Sequence, residues 1–218
     1  ISLELLHDFL LVHDDIIDKS ATRRGKPSMH EMLNKYLVRY KNIKFSGQDL
    51  SIVIGDVLYA LSLHAFLSIK QRSDRKEAAL KRFIDAAMYT GGGEFIELLS
   101  GLKSIDKITK PDIYKIYDYK TANYTFASPL VIGAILAGAE QTQIDRLFKY
   151  GIYLGRAFQI KDDILGMFSD ERKIGKSTLT DLQESKKTIL VWQAYHSSNK
   201  QGKLTIKSIL SKENVVKS

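Results

Sequence analysis

The sequence predicts an all-α fold, and three features of the chain support that prediction. Apolar residues recur at helical spacing over most of its length, it contains only three prolines, and no Asn-Gly or Asp-Gly turn separates alternating runs. With 218 residues and a mass of 24.7 kDa, the chain suits one domain with a sizeable core. No linker or internal repeat divides it, so residues 1–218 are expected to form a single domain.

Helical spacing defines six segments in chain order. The first contains Leu3, Leu6 and Leu10, and the others run over 52–69, 80–99, 113–139, 144–167 and 188–195. Pro111-Asp112 is a typical helix start, with Thr109 or Lys110 ahead of it. Three glycines at 91–93 lie inside a helical pattern and indicate a kink or a close helix approach. Loops are expected at 19–30, 40–48, 70–75, 101–111, 169–187 and 197–204.

The composition limits the classes of function. The formal net charge of +8 and the pI near 9.4 are typical of a lysine-rich surface, or of a site for nucleic acid or phosphorylated small molecules. Cysteine is absent, which excludes disulfides and thiolate chemistry and fits a cytoplasmic protein. The chain has no run of eighteen apolar residues and no basic leader, so neither a membrane span nor a signal peptide is expected.

Two acidic clusters follow apolar helices. In the first, Asp14 and Asp18 lie four residues apart on one helix face, near a helix end where the dipole disfavours negative charge. A compensating cation is therefore expected, and carboxylates together with a substrate phosphate are the usual protein ligands of Mg²⁺. The second cluster, Asp162-Asp163, shares a face with Gln159. Each cluster taken alone is also typical of a solvated helix end or an N-cap.

Basic residues come soon after both clusters: Arg23, Arg24, Lys173, Lys176, Lys186 and Lys187. A metal-bound polyphosphate suits this combination, because the metal can lie on one side and guanidinium or ammonium groups on the other.

These segments together resemble the trans-type polyprenyl diphosphate synthases, and most closely the archaeal-type geranylgeranyl enzymes. HDDIIDKSATRRGKP is similar to the family's first aspartate-rich motif, and YKTA at 119–122 to its Lys-Thr motif. FQIKDDILGMFSDERKIGKSTLTDLQESKKT resembles the second aspartate-rich region. The motifs occur in family order over residues 8–190. The resemblance implies a bundle of long antiparallel helices, with both acidic clusters facing a central cavity, and a homodimer.

The resemblance also implies an activity. The chain would condense isopentenyl diphosphate with an allylic diphosphate (dimethylallyl, geranyl or farnesyl), with several Mg²⁺ ions on the allylic diphosphate. The implied metal ligands are Asp14, Asp15, Asp18, Asp162 and Asp163, and the implied catalytic residues are Asp14, Asp18, Arg23 and Lys120. The implied diphosphate contacts are Arg23, Lys120 and Lys176, with Thr121, Gln159 and Lys186 nearby and Arg24 in the isopentenyl diphosphate pocket. No nucleic-acid partner is implied.

The first helix also bears on product length. Phe9 lies five residues before Asp14, which is roughly 7.5 Å along a helix axis. In the family a bulky residue at this level helps to form the floor of the product pocket. Leu10 follows it rather than a second aromatic residue, as in enzymes that make the twenty-carbon geranylgeranyl diphosphate, a product expected to partition into membranes. A farnesyl-length product, or Phe9 as an ordinary core residue, are the alternatives.

The chain departs from the family pattern at several places. Gly166 stands where many members have a third aspartate, and Glu94 and Glu97 stand where Gln and Asp are usual, so their roles stay open. The family's helices before the first motif, with their Gly-Lys-x-x-Arg-Pro element, and its C-terminal helices are not found. The chain is therefore expected to be a fragment that is truncated at both ends.

Three other classes of function compete with this interpretation. A terpene cyclase shares the fold and the first motif, but typically has Asn/Asp-x-x-Ser/Thr-x-x-x-Glu where this chain has DDILGMFSD. A metal phosphohydrolase fits the His-Asp pairs at 7–8 and 13–14, but only five histidines are available as further ligands. A non-catalytic subunit or a basic binding module typically lacks one of the two acidic clusters. Mg²⁺-dependent release of pyrophosphate from two prenyl diphosphates would separate the synthase from all three.

Overall fold

The computed structural model describes residues 1–168, 182 and 184–211, and in these residues the predicted all-α fold is confirmed. The first helices are α1 (Ser2–Ile17), α2 (Met29–Leu37), α3 (Gly47–Leu67) and α4 (Ser73–Gly101). A 3₁₀ turn (Ile105–Lys107) leads to α5 (Lys110–Ile116), which continues through a π-helical segment (Tyr117–Ala127) into α6 (Ser128–Ala137). The last described helices are α7 (Gln141–Phe168), α8 (Ile189–Ser197) and α9 (Lys200–Leu210).

Three elements differ from the sequence prediction. Helix α2 lies outside the six predicted segments and begins inside the loop expected at 19–30. Helix α9 begins at Lys200, inside the loop expected at 197–204, with the side chain of Asn199 accepting a hydrogen bond from the Gly202 amide. A short antiparallel hairpin joins β1 (Thr22–Arg23) to β2 (Lys26–Pro27). Its turn residues Arg24 and Gly25 both have positive φ, as a type I′ turn requires, so Arg-Gly has the role usually filled by Asn-Gly or Asp-Gly.

Contact clustering divides the chain into two compact units, and the first contains Ile1–Gln71 with α1, the hairpin, α2 and α3. Helix α3 packs against α1 and α2. A Cβ atom on Gly55 would lie 2.3 Å from the ring of His13, so a larger residue where α3 passes α1 would displace that ring. Asn34 on α2 accepts a 2.6 Å hydrogen bond from the Gly47 amide at the start of α3.

Helix α3 is, within the described residues, the one helix that is long and apolar enough to cross a membrane. Core helices of water-soluble proteins meet the same criterion of length and composition. Asp49, Asp56 and His64 interrupt its apolar residues, which is why no unbroken apolar run marks it in the sequence.

The second unit contains α4 and the described elements that follow it. The expected helix start at Pro111 is confirmed, with Thr109 and Asp112 forming a capping box. The expected close approach in the glycine run is confirmed at Gly93, where a Cβ atom would lie 2.5 Å from the backbone nitrogen of Lys120. On α7, Gly155 allows an equally close approach to the backbone of Ala122. Both α4 and α7 therefore pack tightly on the π-helical segment, which carries the Lys-Thr motif.

A buried apolar cluster supports this segment from the C-terminal side of the unit. Ile108, Ile113, Tyr117 and Ile189 form the cluster, and Ile160 and Trp192 pack against it. The Trp192 indole N–H donates a 2.9 Å hydrogen bond to the Ile108 carbonyl, which joins α8 to the turn before α5. Tyr117 thus lies with its ring in an apolar core, three residues before Lys120.

Candidate active site

The first aspartate cluster lies at the end of α1, where Asp18 is the C-cap residue. The side chain of Asp15 is buried, with only 4% of the residue exposed. Arg23 on β1 donates from Nε to both oxygens of Asp15 at 2.9 Å, and from a terminal nitrogen to Asp14 Oδ2 at 2.8 Å. Arg23 thus supplies a positive charge to Asp14 and Asp15 from within the chain.

The charge of Arg23 is maintained although the group is half-buried. Burial lowers its pKa, but the hydrogen bonds to Asp15 and the negative charges of Asp14 and Asp15 outweigh that effect, so the pKa is raised. A guanidinium that forks between two carboxylates is a rigid, charge-assisted arrangement. The hairpin is what brings Arg23 back over the end of α1.

Arg24, the next residue, lies in a different environment. It occupies the turn with a φ of 53° and is exposed. Its charge acts on His7, whose pKa is lowered chiefly by burial, while Glu4 and Asp8 partly oppose that effect. Of the two adjacent arginines, Arg23 is thus partly buried in ion pairs with the aspartates and Arg24 is exposed.

Phe9, the predicted chain-length residue, packs in an aromatic group of the first unit. Its ring centroid lies 4.7 Å from that of His13 and 5.1 Å from that of Tyr59 on α3. Leu10, next to it on α1, is partly buried.

In the second unit, Lys120 lies between two glutamates of α4. Its Nζ is 2.5 Å from Glu94 Oε2 and 2.6 Å from Glu97 Oε2. All three side chains are largely buried, with 15% to 19% of their surface exposed. The two positions that depart from the family pattern thus contact the lysine of the Lys-Thr motif directly.

A chain of hydrogen bonds links Thr121 to the second aspartate cluster. Thr121 donates to Gln159 at 2.7 Å, and Gln159 donates to Asp163 Oδ1 at 2.9 Å. The Tyr117 hydroxyl donates to the other oxygen of Asp163 and accepts a 2.9 Å bond from the Ile189 amide. Burial, followed by the charge and hydrogen bond of Asp163, strongly raises the pKa of Tyr117, so its proton stays in this network.

The two aspartates of the second cluster have different surroundings. Asp163 is buried, with 4% exposed, whereas the neighbouring Asp162 is exposed. A helix turns by about 100° per residue, so only one of two adjacent side chains can face the core. Asp163 therefore stabilises the packing of the π-helical segment, α7 and α8, and Asp162 is accessible.

The basic residues of the second region fall into three groups. Lys186 pairs with Glu184 at 2.7 Å. Lys187 is buried, which lowers its pKa, and donates a 2.6 Å hydrogen bond to the Gly101 carbonyl, so its contact is structural. Lys173 and Lys176 lie outside the described residues.

Sequence reasoning missed Tyr117 as a member of the site. Its bond to Asp163 spans 46 residues, and no local motif marks it. The glutamate contacts of Lys120 also depend on a long-range approach, although the unusual residues at 94 and 97 were a visible signal.

The aspartates of the two clusters suit a hard divalent cation, since carboxylate oxygens are the ligands that Mg²⁺ prefers. Within residues 1–168, 182 and 184–211, no group of three or more Asp, Glu, His or Cys side chains lies close enough together to hold a metal ion. Of the five predicted ligands, Asp14 and Asp15 already accept hydrogen bonds from Arg23, and Asp163 accepts one from Tyr117, so these three would have to share or exchange partners to bind a metal.

The helical fold, with carboxylates and basic side chains grouped at each motif, places the chain among proteins with the isoprenoid synthase fold. The chain belongs to the polyprenyl synthetase family, whose profile it matches over residues 1–218. It is similar to the geranylgeranyl diphosphate synthase of Saccharolobus solfataricus, with 31% identity over 99% of this chain and 61% of that protein. The enzyme of the same name from Sulfolobus acidocaldarius is 35% identical over 87% of this chain and 53% of that protein.

The fold agrees with this assignment. A crystal structure of geranylgeranyl pyrophosphate synthase from Corynebacterium glutamicum, in complex with isoprenyl diphosphate and magnesium, superposes with a TM-score of 0.87 at 30% identity. The match covers 100% of this chain and 61% of that structure. The chain thus spans about three fifths of the length of these relatives.

The different environments of the aspartates in the first cluster lead to a stability prediction. Asp15→Asn removes the charge of a buried carboxylate that pairs with Arg23, and should lower the free energy of unfolding by about 2 kcal/mol. Asp18→Asn is the matched control, because removing a negative charge from a helix C-terminus should change it by no more than about 0.5 kcal/mol. Urea unfolding in metal-free buffer measures both. Equal losses in the two variants would contradict the assigned difference.

Proposed function

We propose that the protein is a trans-prenyltransferase that condenses isopentenyl diphosphate with an allylic diphosphate in a Mg²⁺-dependent reaction. The observation that carries the proposal is the family match over residues 1–218, which includes both aspartate clusters and the Lys-Thr motif. The arrangement of Lys120, Thr121 and Gln159 on one tightly packed set of elements supports it further.

The predicted metal ligands differ in accessibility. In the first unit we propose Asp14 and Asp18 as direct ligands, with Asp15 orienting Arg23 beside them. In the second unit we propose the exposed Asp162 as a direct metal ligand. The buried Asp163 accepts hydrogen bonds from Gln159 and Tyr117 and fixes their positions. Magnesium bound to a diphosphate neutralises charge that grows as the leaving group departs.

The reaction breaks the allylic C–O bond, and its electron pair leaves with the diphosphate. The proposed contacts of that diphosphate are Arg23, Lys120 and Lys176, with Thr121, Gln159 and Lys186 nearby. Fixed cations lower the barrier because they stabilise charge that develops in the transition state. The allylic cation adds to the double bond of isopentenyl diphosphate, held by Arg24, and the proton then lost passes to the departing diphosphate. An apolar pocket keeps water from the cation.

The function is tested by incubating the intact protein with isopentenyl and allylic diphosphates. We expect pyrophosphate release and a longer prenyl diphosphate with Mg²⁺, and neither with a chelator.

Lys120→Ala should lower kcat and kcat/KM together by about 10²-fold, since the lysine acts on the leaving group. Lys115→Ala, an exposed lysine five residues earlier, is the control and should leave both near wild type. A cyclic hydrocarbon product, or a Lys120→Ala effect on KM alone, would contradict the proposal.

We propose the twenty-carbon geranylgeranyl diphosphate as the product, with Phe9 at the pocket floor. Phe9→Ala should lengthen the product because it removes a ring that packs on His13 and Tyr59. Leu10→Phe should shorten it by adding bulk at the same level. Chromatography of the dephosphorylated products measures both changes. If both variants made the parental product in lower yield, Phe9 would be a packing residue only.

We also propose a cytoplasmic homodimer whose product partitions into membranes. Helix α3 has exposed apolar side chains at successive turns: Val53, Val57 and Leu61. A contiguous exposed apolar face of this kind marks an interaction surface.

Light scattering should give twice the mass of one chain, and Val57→Asp should shift the protein toward the monomer. Val38→Asp, an exposed valine outside α3, is the control. A monomeric wild-type protein that sediments with lipid vesicles would assign this face to a membrane instead.

A further inference from the structure

Lys120 forms ion pairs with two carboxylates at once. One ammonium lies between two carboxylates, 2.5 Å from Glu94 and 2.6 Å from Glu97, so the three side chains together have a formal charge of −1. A lysine that has to bind a polyphosphate is thus already paired with two carboxylates. The arrangement therefore calls for a reason beyond the neutralisation of Lys120.

The position of the glutamates is set by the backbone. Glu94 and Glu97 are three residues apart and share one face of α4. Next to them, Gly93 brings α4 so close to the π-helical segment that a Cβ atom would lie 2.5 Å from the Lys120 nitrogen. The carboxylates are thus held against the ammonium by the packing of two helical segments.

The surroundings add further negative charge. The negative charge of Glu97 acts on Tyr117, which is bonded to the buried Asp163. Thr121, next to Lys120, is linked through Gln159 to the same aspartate. An anion that approaches the Lys120 ammonium therefore meets the two carboxylates that already pair with it.

We propose that Glu94 and Glu97 are positioning residues that hold the Lys120 ammonium in one place and compete with diphosphate for it. This inference rests on the proposed function, in which Lys120 contacts the leaving diphosphate. The competition weakens the binding of free diphosphate and so favours its release after each condensation. A glutamine at either position would still accept a hydrogen bond from Lys120, but without the competing charge.

The test is calorimetric titration of the intact protein with inorganic diphosphate in Mg²⁺ buffer. Glu94→Gln and Glu97→Gln should each tighten binding by about threefold to tenfold, the effect of one partly screened charge a few ångströms away. Glu140→Gln removes the same charge at an exposed site about 28 Å from Gln159 along the chain, at 1.5 Å per residue. This control should change the affinity by less than about twofold.

The direction of the change separates positioning from a purely structural role. A glutamate that only stabilised the fold would weaken diphosphate binding when replaced, and weaker or unchanged binding in both variants overturns the proposal. Glu97→Gln repeats the test if Glu94→Gln does not fold. In a Lys120→Gln background, Glu94→Gln should increase the affinity for diphosphate by a smaller factor. An equal increase there would show that Glu94 simply repels diphosphate, and would overturn the proposed competition for Lys120.

The proposed function and this inference fail in different ways. If the wild-type protein makes a prenyl diphosphate but neither variant binds diphosphate more tightly, only the inference is overturned. If the wild-type protein neither binds Mg²⁺-diphosphate nor forms product, the proposed function fails and the inference fails with it.

Discussion

The pairing of buried carboxylates with charged or hydrogen-bonding partners in the same unit is the interaction on which the candidate site residues of each unit depend. An unpaired buried carboxylate costs several kcal/mol, so each one must have a charged or hydrogen-bonding partner before the fold is stable. Asp15 has Arg23, Glu94 and Glu97 share Lys120, and Asp163 has Tyr117 and Gln159. These partners keep the acidic and basic side chains in fixed positions, and preorganisation of this kind is what leaving-group stabilisation requires.

The positions of these partners follow from unusually close backbone packing. Gly93 and Gly155 let α4 and α7 approach the π-helical segment more closely than any side chain would allow. The π-helical geometry occurs where the Lys-Thr motif lies, and such segments are frequent at functional sites. In the first unit, the type I′ turn at Arg24 and Gly25 has the corresponding role, because it returns Arg23 to the end of α1.

The same charges have different uses within one family pattern. Adjacent residues, such as Asp162 and Asp163 or Arg23 and Arg24, have identical chemistry but differ in burial. One member of each pair is held by ion pairs or hydrogen bonds to neighbouring elements, and the other is exposed to solvent. Adjacent identical residues at one helix or hairpin end therefore differ in burial because the backbone directs their side chains differently.

The sequence by itself determined the all-α fold, most helix positions, the helix start at Thr109, the close approach in the glycine run and the family. These features depend on local spacing, caps and motif order, which are readable along the chain. Only the tertiary structure decided that Tyr117 bonds Asp163, that Glu94 and Glu97 hold Lys120, and that Arg23 pairs with Asp15. The first two contacts join residues more than twenty positions apart and the third depends on a hairpin turn, so the packing of the backbone, which no local pattern encodes, selects the partners.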